Sequence, residues 1–264
     1  MIECIHGLDI ELCDICSPRQ TPESQEPTSS STSTPTVRKA PATRRTPPRV
    51  AGVKRPPAAD ALPNVDLSTM RAHHWTHIDN LEGILSGGLL RAAATPEIDV
   101  SSAAHREKRA AAVVPSGASV ASHVPFALSP DATTWNQVRT GAAGDRWSAA
   151  ARETRATDYV VLVAPIKLLG SDFVVADGDA ADALTRFAQG PAEGAALVRR
   201  ASIADPTLLN AEILVPDSVD LMSVTLIGVP NDRMRDRVKA LVTEAGGSTP
   251  RVAIYPPWFR PAED

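Results

Sequence analysis

The sequence predicts an α+β domain that begins near residue 64. Strand-like apolar runs and amphipathic helical segments follow one another irregularly from there to residue 264, without the strand–helix–strand repeat of a doubly wound sheet. The glycine-rich fingerprints of dinucleotide-binding and P-loop folds are absent. The 264 residues leave room for one domain of about 200 residues behind an N-terminal region that offers little apolar surface.

Residues 1–17 form a candidate zinc-binding segment. All three cysteines of the chain, Cys4, Cys13 and Cys16, lie here together with His6. Three thiols and one imidazole match the ligands that tetrahedral zinc prefers, and Cys13-x-x-Cys16 has a common zinc-ligand spacing. So short a segment cannot bury a core, so a bound metal would have to supply its folding free energy. The alternative is a tail whose cysteines are incidental.

Residues 18–63 are predicted to be a disordered linker. Serine, threonine and paired prolines dominate it, and such a composition cannot offset the entropy of ordering. Within it, residues 38–55 contain no acidic residue but seven cations: Arg38, Lys39, Arg44, Arg45, Arg49, Lys54 and Arg55. This stretch either attracts a phosphate backbone or serves as a solubilising tether, and the sequence leaves both interpretations open.

Net charge, the length of apolar runs and cysteine content limit the classes of protein to which the chain can belong. The net charge of −4 gives no global argument for a nucleic-acid partner. The longest apolar runs are far shorter than the roughly 20 residues that a membrane span needs, and the N-terminus lacks a signal-peptide pattern. Because the predicted domain contains no cysteine, a disulfide-stapled secreted fold is disfavoured. We therefore expect a cytoplasmic protein without a membrane partner.

The domain opens with an extended segment that runs directly into a helix. The segment is rich in histidine, with His73, His74 and His77. Apolar residues at helical spacing then predict the helix, with Asp79 or Asn80 as its cap and Gly87-Gly88 as its end: Leu81, Ile84 and Leu85. Three histidines at the start of a helix are unusual for a purely structural turn.

The remaining predicted elements follow in order. Helices are predicted over 101–112, which has a basic face, and over 231–245, where Met234, Val238, Leu241 and Val242 form an apolar stripe. Strands are predicted over 123–130, 158–164, 209–216, 223–229 and 251–255, with Trp258 and Phe259 packing the end of the last one.

Glu212 lies in the middle of the strand predicted over 209–216. If that segment is extended, Asn210 and Glu212 project to one face and apolar residues to the other. An ionised carboxylate in such a strand costs several kcal/mol unless it is paired or faces a cleft. Glu212 is therefore either a functional group or a residue on the wet face of a half-exposed strand. His74, Arg109 and Glu212 could form one site, but their spacing alone does not show that they converge.

Five groups of residues follow one another along the domain in the order of a known family's motifs. They are His74-Trp75-Thr76-His77-Ile78-Asp79-Asn80-Leu81 with its helix, Arg109 ahead of Pro115, Val124-Pro125-Phe126 with Ser129-Pro130, Asn210-Ala211-Glu212-Ile213-Leu214-Val215, and Pro250-Arg251-Val252-Ala253-Ile254 with Trp258. This order resembles the DarT family of DNA ADP-ribosyltransferases. The resemblance spans residues 70–260 and excludes the cysteine-containing segment and the linker.

The resemblance implies a split β-sheet of the ADP-ribosyltransferase type that holds NAD in a cleft. His74 would contact the ribose and adenosine side of NAD, Asn80 would help to hold its nicotinamide half, and Thr76 would also bind the cofactor. Arg109 would bind NAD and act in catalysis together with Glu212. A carboxylate there stabilises the positive charge that develops when the nicotinamide–ribose bond breaks, and an arginine orients phosphate or polarises the attacking base. His77 is expected to order the loop.

The resemblance also implies a toxin or defence enzyme that modifies thymidine or guanosine in single-stranded DNA, because a base must be unpaired to reach such a cleft. A macrodomain antitoxin that removes the mark is the implied partner. RNA or protein acceptors, and a non-catalytic zinc-containing nucleic-acid-binding protein, remain alternatives. The chain departs from the family over Ala127–Trp135, where a tyrosine-rich run and an arginine are missing, and at His123, where tyrosine is frequent.

Overall fold

The computed structural model describes residues 64–92, 94–246 and 250–261. The chain divides into two units, Met1–Leu62 and Pro63–Asp264, and the described residues all belong to the second. The predicted zinc ligands Cys4, His6, Cys13 and Cys16 and the basic linker lie outside the described residues.

Strands and helices are intermixed along the described residues. The strands are β1 (Arg71–His77), β2 (Leu89–Arg91), β3 (His123–Ala127), β4 (Tyr159–Pro165), β5 (Val174–Ala176), β6 (Phe187–Gln189), β7 (Glu212–Pro216), β8 (Ser218–Asp220), β9 (Leu226–Val229) and β10 (Arg251–Ile254). The helices are α1 (Ile78–Gly87), α2 (Ala103–Ala111), α3 (Thr133–Arg139), α4 (Ala149–Glu153), α5 (Gly190–Ala204) and α6 (Asp232–Ala245).

Eight of these strands form one sheet in the order β10-β9-β4-β1-β3-β7-β5-β6. Every neighbouring pair in it is antiparallel except β9 and β10, which are parallel. Strands β2 and β8 form a separate antiparallel pair. A large, mostly antiparallel sheet flanked by helices confirms the predicted α+β class.

The two halves of the large sheet meet between β1 and β3. Strand β1 is in register with β4 from Arg71 to His77, but it is paired with β3 only through His73 and Ala127. Ala127 is paired in turn with Glu212 of β7. His73, Ala127 and Glu212 therefore lie in one row across the sheet, and the sheet is joined at this row by a single residue pair.

Three apolar clusters lie among the described residues: the smallest surrounds Val120 and Leu214, and the two others cover the central strands. The larger one packs α1, α5 and α6 against the sheet, and its members include Leu81, Leu162, Leu197, Ile213, Ile227 and Val238. The other is aromatic and is centred on Trp135 of α3. In this aromatic core, Gly228 of β9 makes room for Trp258, because a Cβ at position 228 would lie 2.6 Å from the indole ring.

The helix after β1 begins with a different cap from the one predicted. His77, rather than Asp79 or Asn80, precedes α1, and its Nδ1 accepts a 3.3 Å hydrogen bond from the Asp79 amide. The imidazole thereby satisfies one of the free N–H groups of the first turn, which confirms that His77 orders this segment. The predicted end is also confirmed, since Gly88 has a φ of 64° that glycine adopts without steric cost.

Two strands begin later than predicted. Strand β7 starts at Glu212, so the expectation that Asn210 shares its strand face is wrong. The Asp205 carboxylate accepts a 2.7 Å hydrogen bond from the Leu209 amide and holds the chain in a turn up to that point. Strand β9 starts at Leu226 rather than Ser223, because Leu221–Ser223 form a 3-10 turn. Among the residues that the structure describes, no helix is long and apolar enough to cross a membrane.

Candidate active site

Glu212 is the first residue of β7, a strand between β3 and β5 in the interior of the sheet. The residue is buried, with 8% of its surface exposed. Glu212 therefore does not lie on a wet strand face, and the structural alternative left open by the sequence is wrong. A buried carboxylate in this position needs a compensating partner.

Arg109 supplies that partner from the last turn of α2. The Ser102 side chain caps the start of this helix by accepting a 3.1 Å hydrogen bond from the His105 amide. The cations in its last turn stabilise the helix through their interaction with the negative end of the helix dipole. The guanidinium Nη1 lies 3.6 Å from Glu212 Oε2. The structure thus brings together the two residues to which the family resemblance assigns catalysis.

The ion pair leaves hydrogen-bonding capacity unused. Arg109 Nη2 and Glu212 Oε2 are both buried and have no hydrogen-bond partner within the protein. Buried polar atoms are nearly always satisfied, and an unmet one costs about 1–3 kcal/mol. A buried donor and a buried acceptor side by side fit a polar ligand that carries both kinds of group, as the ribose and phosphates of NAD do.

Burial raises the pKa of Glu212 above its ordinary value. The Arg109 guanidinium lowers this pKa, the Asp179 carboxylate raises it, and Arg146 lowers it, but desolvation outweighs the two cations. The ionised form of Glu212 therefore carries an unfavourable desolvation free energy. A positive charge that develops next to the carboxylate offsets this free energy.

His74 projects from β1 toward β3. Its Nδ1 lies 2.8 Å from the carbonyl oxygen of Pro125, and its ring packs on Phe126. A carbonyl only accepts, so Nδ1 carries the proton. Burial lowers the pKa of His74, so the ring is neutral at physiological pH. Its Nε2 is then left as an acceptor, which suits a ligand hydroxyl.

Asn80 connects α1 to the segment that leads into α2 through side-chain hydrogen bonds. Its Oδ1 accepts from the Ile98 amide at 2.8 Å, and its Nδ2 donates to the Ile98 carbonyl at 2.9 Å. The same Nδ2 lies 3.3 Å from Oγ1 of the buried Thr76. Both ends of the amide are therefore occupied, and Thr76 and Asn80 position the chain that enters the helix carrying Arg109.

A cleft adjoins the buried pair. Glu212 lines a cavity of about 20 Å³, which shares Thr134, Asp179 and Asn210 with a cleft of about 560 Å³. Helix α2 lines this cleft with His105 and Lys108. Clefts of this size accommodate small ligands or a nucleotide.

The cleft contains a charged cluster that the sequence did not indicate. Asp179 forms an ion pair with Arg146, and Arg146 also stacks over Trp147. Burial alone would raise the pKa of Asp179, but Arg146 and a hydrogen bond from Ala181 hold it below its ordinary value. Burial and the Arg146 charge lower the pKa of His105 to about 4. Asp179 is therefore an anion and His105 neutral near neutral pH.

Asp131, in the segment that departs from the family pattern, forms an ion pair with a residue of α3. Arg139 of α3, a side chain without solvent exposure, donates from Nη1 to Asp131 at 2.9 Å. Within the described ranges, no group of three or more His, Cys, Asp or Glu residues is placed to hold a metal ion.

Comparisons with known proteins agree with this geometry. The sequence model of the DarT family, described as ssDNA thymidine ADP-ribosyltransferase, matches residues 73–260. No curated relative matches the chain. The chain is similar to Thermus sp. 2.9 DarT in complex with ADP-ribosylated ssDNA, at 25% identity and a TM-score of 0.61, over 72% of this chain and 96% of that one.

Two further solved structures share the fold. The complex of Thermus sp. 2.9 DarT with NAD+ is 25% identical with a TM-score of 0.59, over 72% of this chain and 98% of that one. Thermosipho africanus DarTG in complex with ADP-ribose is 17% identical with a TM-score of 0.55, over 72% of this chain and 51% of that one. Because the family model matches residues 73–260, which is most of the chain, the protein belongs to the DarT family of NAD-dependent single-stranded-DNA ADP-ribosyltransferases.

Proposed function

We propose that this protein transfers ADP-ribose from NAD to thymidine in single-stranded DNA and releases nicotinamide. The observation that carries the proposal is the buried Arg109–Glu212 pair beside an open cleft, with an unpartnered donor and an unpartnered acceptor. Family membership supports the reaction, and the description of the family supports thymidine.

Glu212 is proposed to stabilise the positive charge that develops on the ribose as its bond to nicotinamide breaks. The carboxylate is fixed by β7 and buried, so its field acts through a medium of low polarity and needs no rearrangement during the reaction. A new bond then joins the ribose carbon to the ring nitrogen of the base, nicotinamide leaves as a neutral molecule, and the proton of the ring nitrogen passes to water.

Arg109 is proposed to orient the substrate rather than to accept its proton, because a guanidinium is a poor base. Its buried Nη2 is free to donate to a phosphate or to a base carbonyl. His74 is proposed to accept a hydrogen bond from a ribose hydroxyl through Nε2. Since the amide of Asn80 is bound at both ends, we propose that Thr76 and Asn80 support the NAD site by fixing the chain before α2.

The function is tested by incubating the full chain with radiolabelled NAD and single-stranded oligonucleotides that each carry one kind of target base. Label should appear on the thymidine oligonucleotide, and annealing a complementary strand should abolish it, because a paired base cannot enter the cleft. Label on guanosine alone would contradict the choice of base, and label on protein would contradict the choice of acceptor. No adduct on any of these would reject the proposal.

The pH dependence of the reaction should follow the charges around Glu212. Replacing Asp179 with asparagine removes an anion that raises the pKa of Glu212. The acid limb of the pH profile of kcat/KM should therefore move to lower pH. Replacing Arg109 with glutamine removes the main cation that lowers this pKa, so the limb should move to higher pH at a reduced overall rate.

Asp145→Asn is the matched control, because Asp145 lines the same cleft outside the set formed by Arg109, Asp179 and Arg146. Its acid limb should coincide with that of the wild type. Shifts of the Asp179 and Arg109 variants in the same direction would contradict the assignment of the limb to Glu212.

Three finer features of the protein are also proposed, and only the sequence pattern or the family resemblance supports them. Zinc is proposed to bind Cys4, His6, Cys13 and Cys16, which would fold residues 1–17. The enzyme is proposed to act in the cytoplasm as a toxin or defence effector. A macrodomain antitoxin that removes the modification is its proposed partner.

A further inference from the structure

The loop between β5 and β6, residues 177–186, forms one wall of the cleft. Asp179, Ala181, Asp182 and Ala183 all line the cleft. The loop therefore borders the space that the target base must enter if the proposed function holds.

Hydrogen bonds within this loop fix its shape. The carboxylates of Asp179 and Asp182 accept from the amides of Ala181 and Leu184, each at 3.0 Å. The Thr185 hydroxyl donates to the Asp179 carbonyl at 2.6 Å, and a Cβ at Gly178 would lie 2.8 Å from that hydroxyl. The loop is thus closed on itself and is organised before any ligand binds.

This organised loop presents an apolar side chain to solvent. Leu184 is 89% exposed, more than any other large apolar residue in the part of the chain that the structure describes. It directly follows Ala183, which lines the cleft. A single exposed leucine needs no special account on an ordinary surface. Here, however, the amide of Leu184 itself donates to the Asp182 carboxylate, which fixes the backbone that carries this exposed side chain next to the cleft-lining Ala183.

We propose that Leu184 is a wedge that separates the target base from its stacked neighbour in single-stranded DNA. The inference rests on the proposed function, because it concerns how the acceptor base reaches the site. Bases in a single strand stack on one another, and a base must leave the stack before it enters a cleft. Apolar side chains, leucine among them, perform this separation when they insert between base steps.

The charges of the cleft favour contact with bases over contact with phosphates on this wall. The cleft-lining residues of the 177–186 loop include two carboxylates, Asp179 and Asp182, and no cation. Such a wall does not attract a phosphate backbone. Apolar contact with a base face is therefore the interaction that the 177–186 loop offers to a nucleic acid.

Fluorescence tests the wedge without catalysis. An oligonucleotide with 2-aminopurine next to the target thymidine is mixed with the Glu212→Gln protein, because this base fluoresces more strongly when it is unstacked. Binding should raise the fluorescence, and the additional change Leu184→Ala should abolish the rise at saturating protein. Leu184→Met should retain it, since methionine also presents a long apolar side chain. Placing the probe on the 5′ and then the 3′ side identifies the separated step.

Kinetics supply the second measurement, with Glu212 intact and NAD saturating. Leu184→Ala should raise KM for the oligonucleotide roughly tenfold with kcat little changed, as expected for one lost base contact. Replacing the neighbouring nucleotide by an abasic one should restore the variant to the wild-type KM, because no stack remains to be broken. Met222→Ala is the matched control, since Met222 is 64% exposed and does not line the cleft.

The outcomes separate the wedge from the proposed function. Loss of the fluorescence rise together with abasic rescue of KM supports the wedge. Wild-type modification of thymidine with unchanged KM and fluorescence in Leu184→Ala overturns it and leaves the proposed function standing. A raised KM that the abasic substrate does not restore also overturns it, because the leucine would then act on something other than stacking. A wild-type protein that modifies no oligonucleotide rejects the proposed function itself.

Discussion

Replacing Glu212 with glutamine should lower kcat by about 10²–10³-fold, the loss typical of removing one preorganised electrostatic group. Glutamine keeps the shape of the side chain but carries no charge, so charge stabilisation on the ribose is lost while the fold is retained. Single-turnover measurement of nicotinamide release would isolate this step from DNA binding. A loss of less than tenfold would show that the carboxylate does not act on the bond that breaks.

The same substitution should raise thermal stability near neutral pH. Because burial raises the pKa of Glu212, the fold disfavours its ionised form, and the neutral amide avoids that cost. The gain should be complete above the raised pKa and should vanish as the pH falls below the ordinary value of 4.5. Glu193→Gln on the exposed surface of α5 is the control and should change neither activity nor melting temperature.

Replacing Trp135 with alanine should destabilise the domain by about 3–5 kcal/mol, the usual cost of truncating a buried aromatic residue. Trp135 is 2% exposed, stacks on Trp75 at 5.4 Å between ring centroids, and meets Tyr159 edge-on at the same distance. Its Nε1 donates to the Trp258 carbonyl at 2.6 Å. For a domain of this size, the melting temperature should fall by roughly 10 °C.

Urea unfolding of Trp135→Ala and Trp135→Phe separates ring packing from the hydrogen bond. Phenylalanine retains most of the ring volume and loses only the N–H donor, so it should cost about 1–2 kcal/mol. Because Trp75 lies in β1 beside His74, Trp135→Ala should also weaken NAD binding. Equal stability losses in the two variants would contradict the assignment of most of the effect to packing.

The sequence was sufficient for elements that local patterns determine. Helix α6 follows its apolar stripe, with Val238 and Val242 buried and Met234 and Leu241 partly buried against the core. The pairing of Arg109 with Glu212 was predicted through the family resemblance, not from spacing, because 102 residues and several strands separate them. Contacts at that separation depend on sheet order, which no local pattern records.

The sequence did not predict elements that tertiary packing determines. Helix α5 begins at Gly190, contains Gly194 in its interior and has a weak apolar stripe, so propensity does not favour it. It packs on the sheet where Gly194 permits close approach to Val175 of β5. The role of Asp179 likewise depends on its ion pair with Arg146, which lies 33 residues away in a loop without periodicity. Only the Asp177-Gly178-Asp179 turn signal marked that part of the chain.

The pairing of Gly228 with Trp258 has a consequence for how this sequence can change over evolution. The indole occupies the space that any side chain at 228 would need, with ring atoms 2.6 and 2.8 Å from the position of a Cβ. A chain that acquires even alanine at 228 must therefore carry a smaller residue at 258 or displace the segment that accepts from Trp135 and Arg139. Residues 228 and 258 should therefore change together among homologues. The loss of stability caused by a substitution at one position alone should be restored by a compensating substitution at the other.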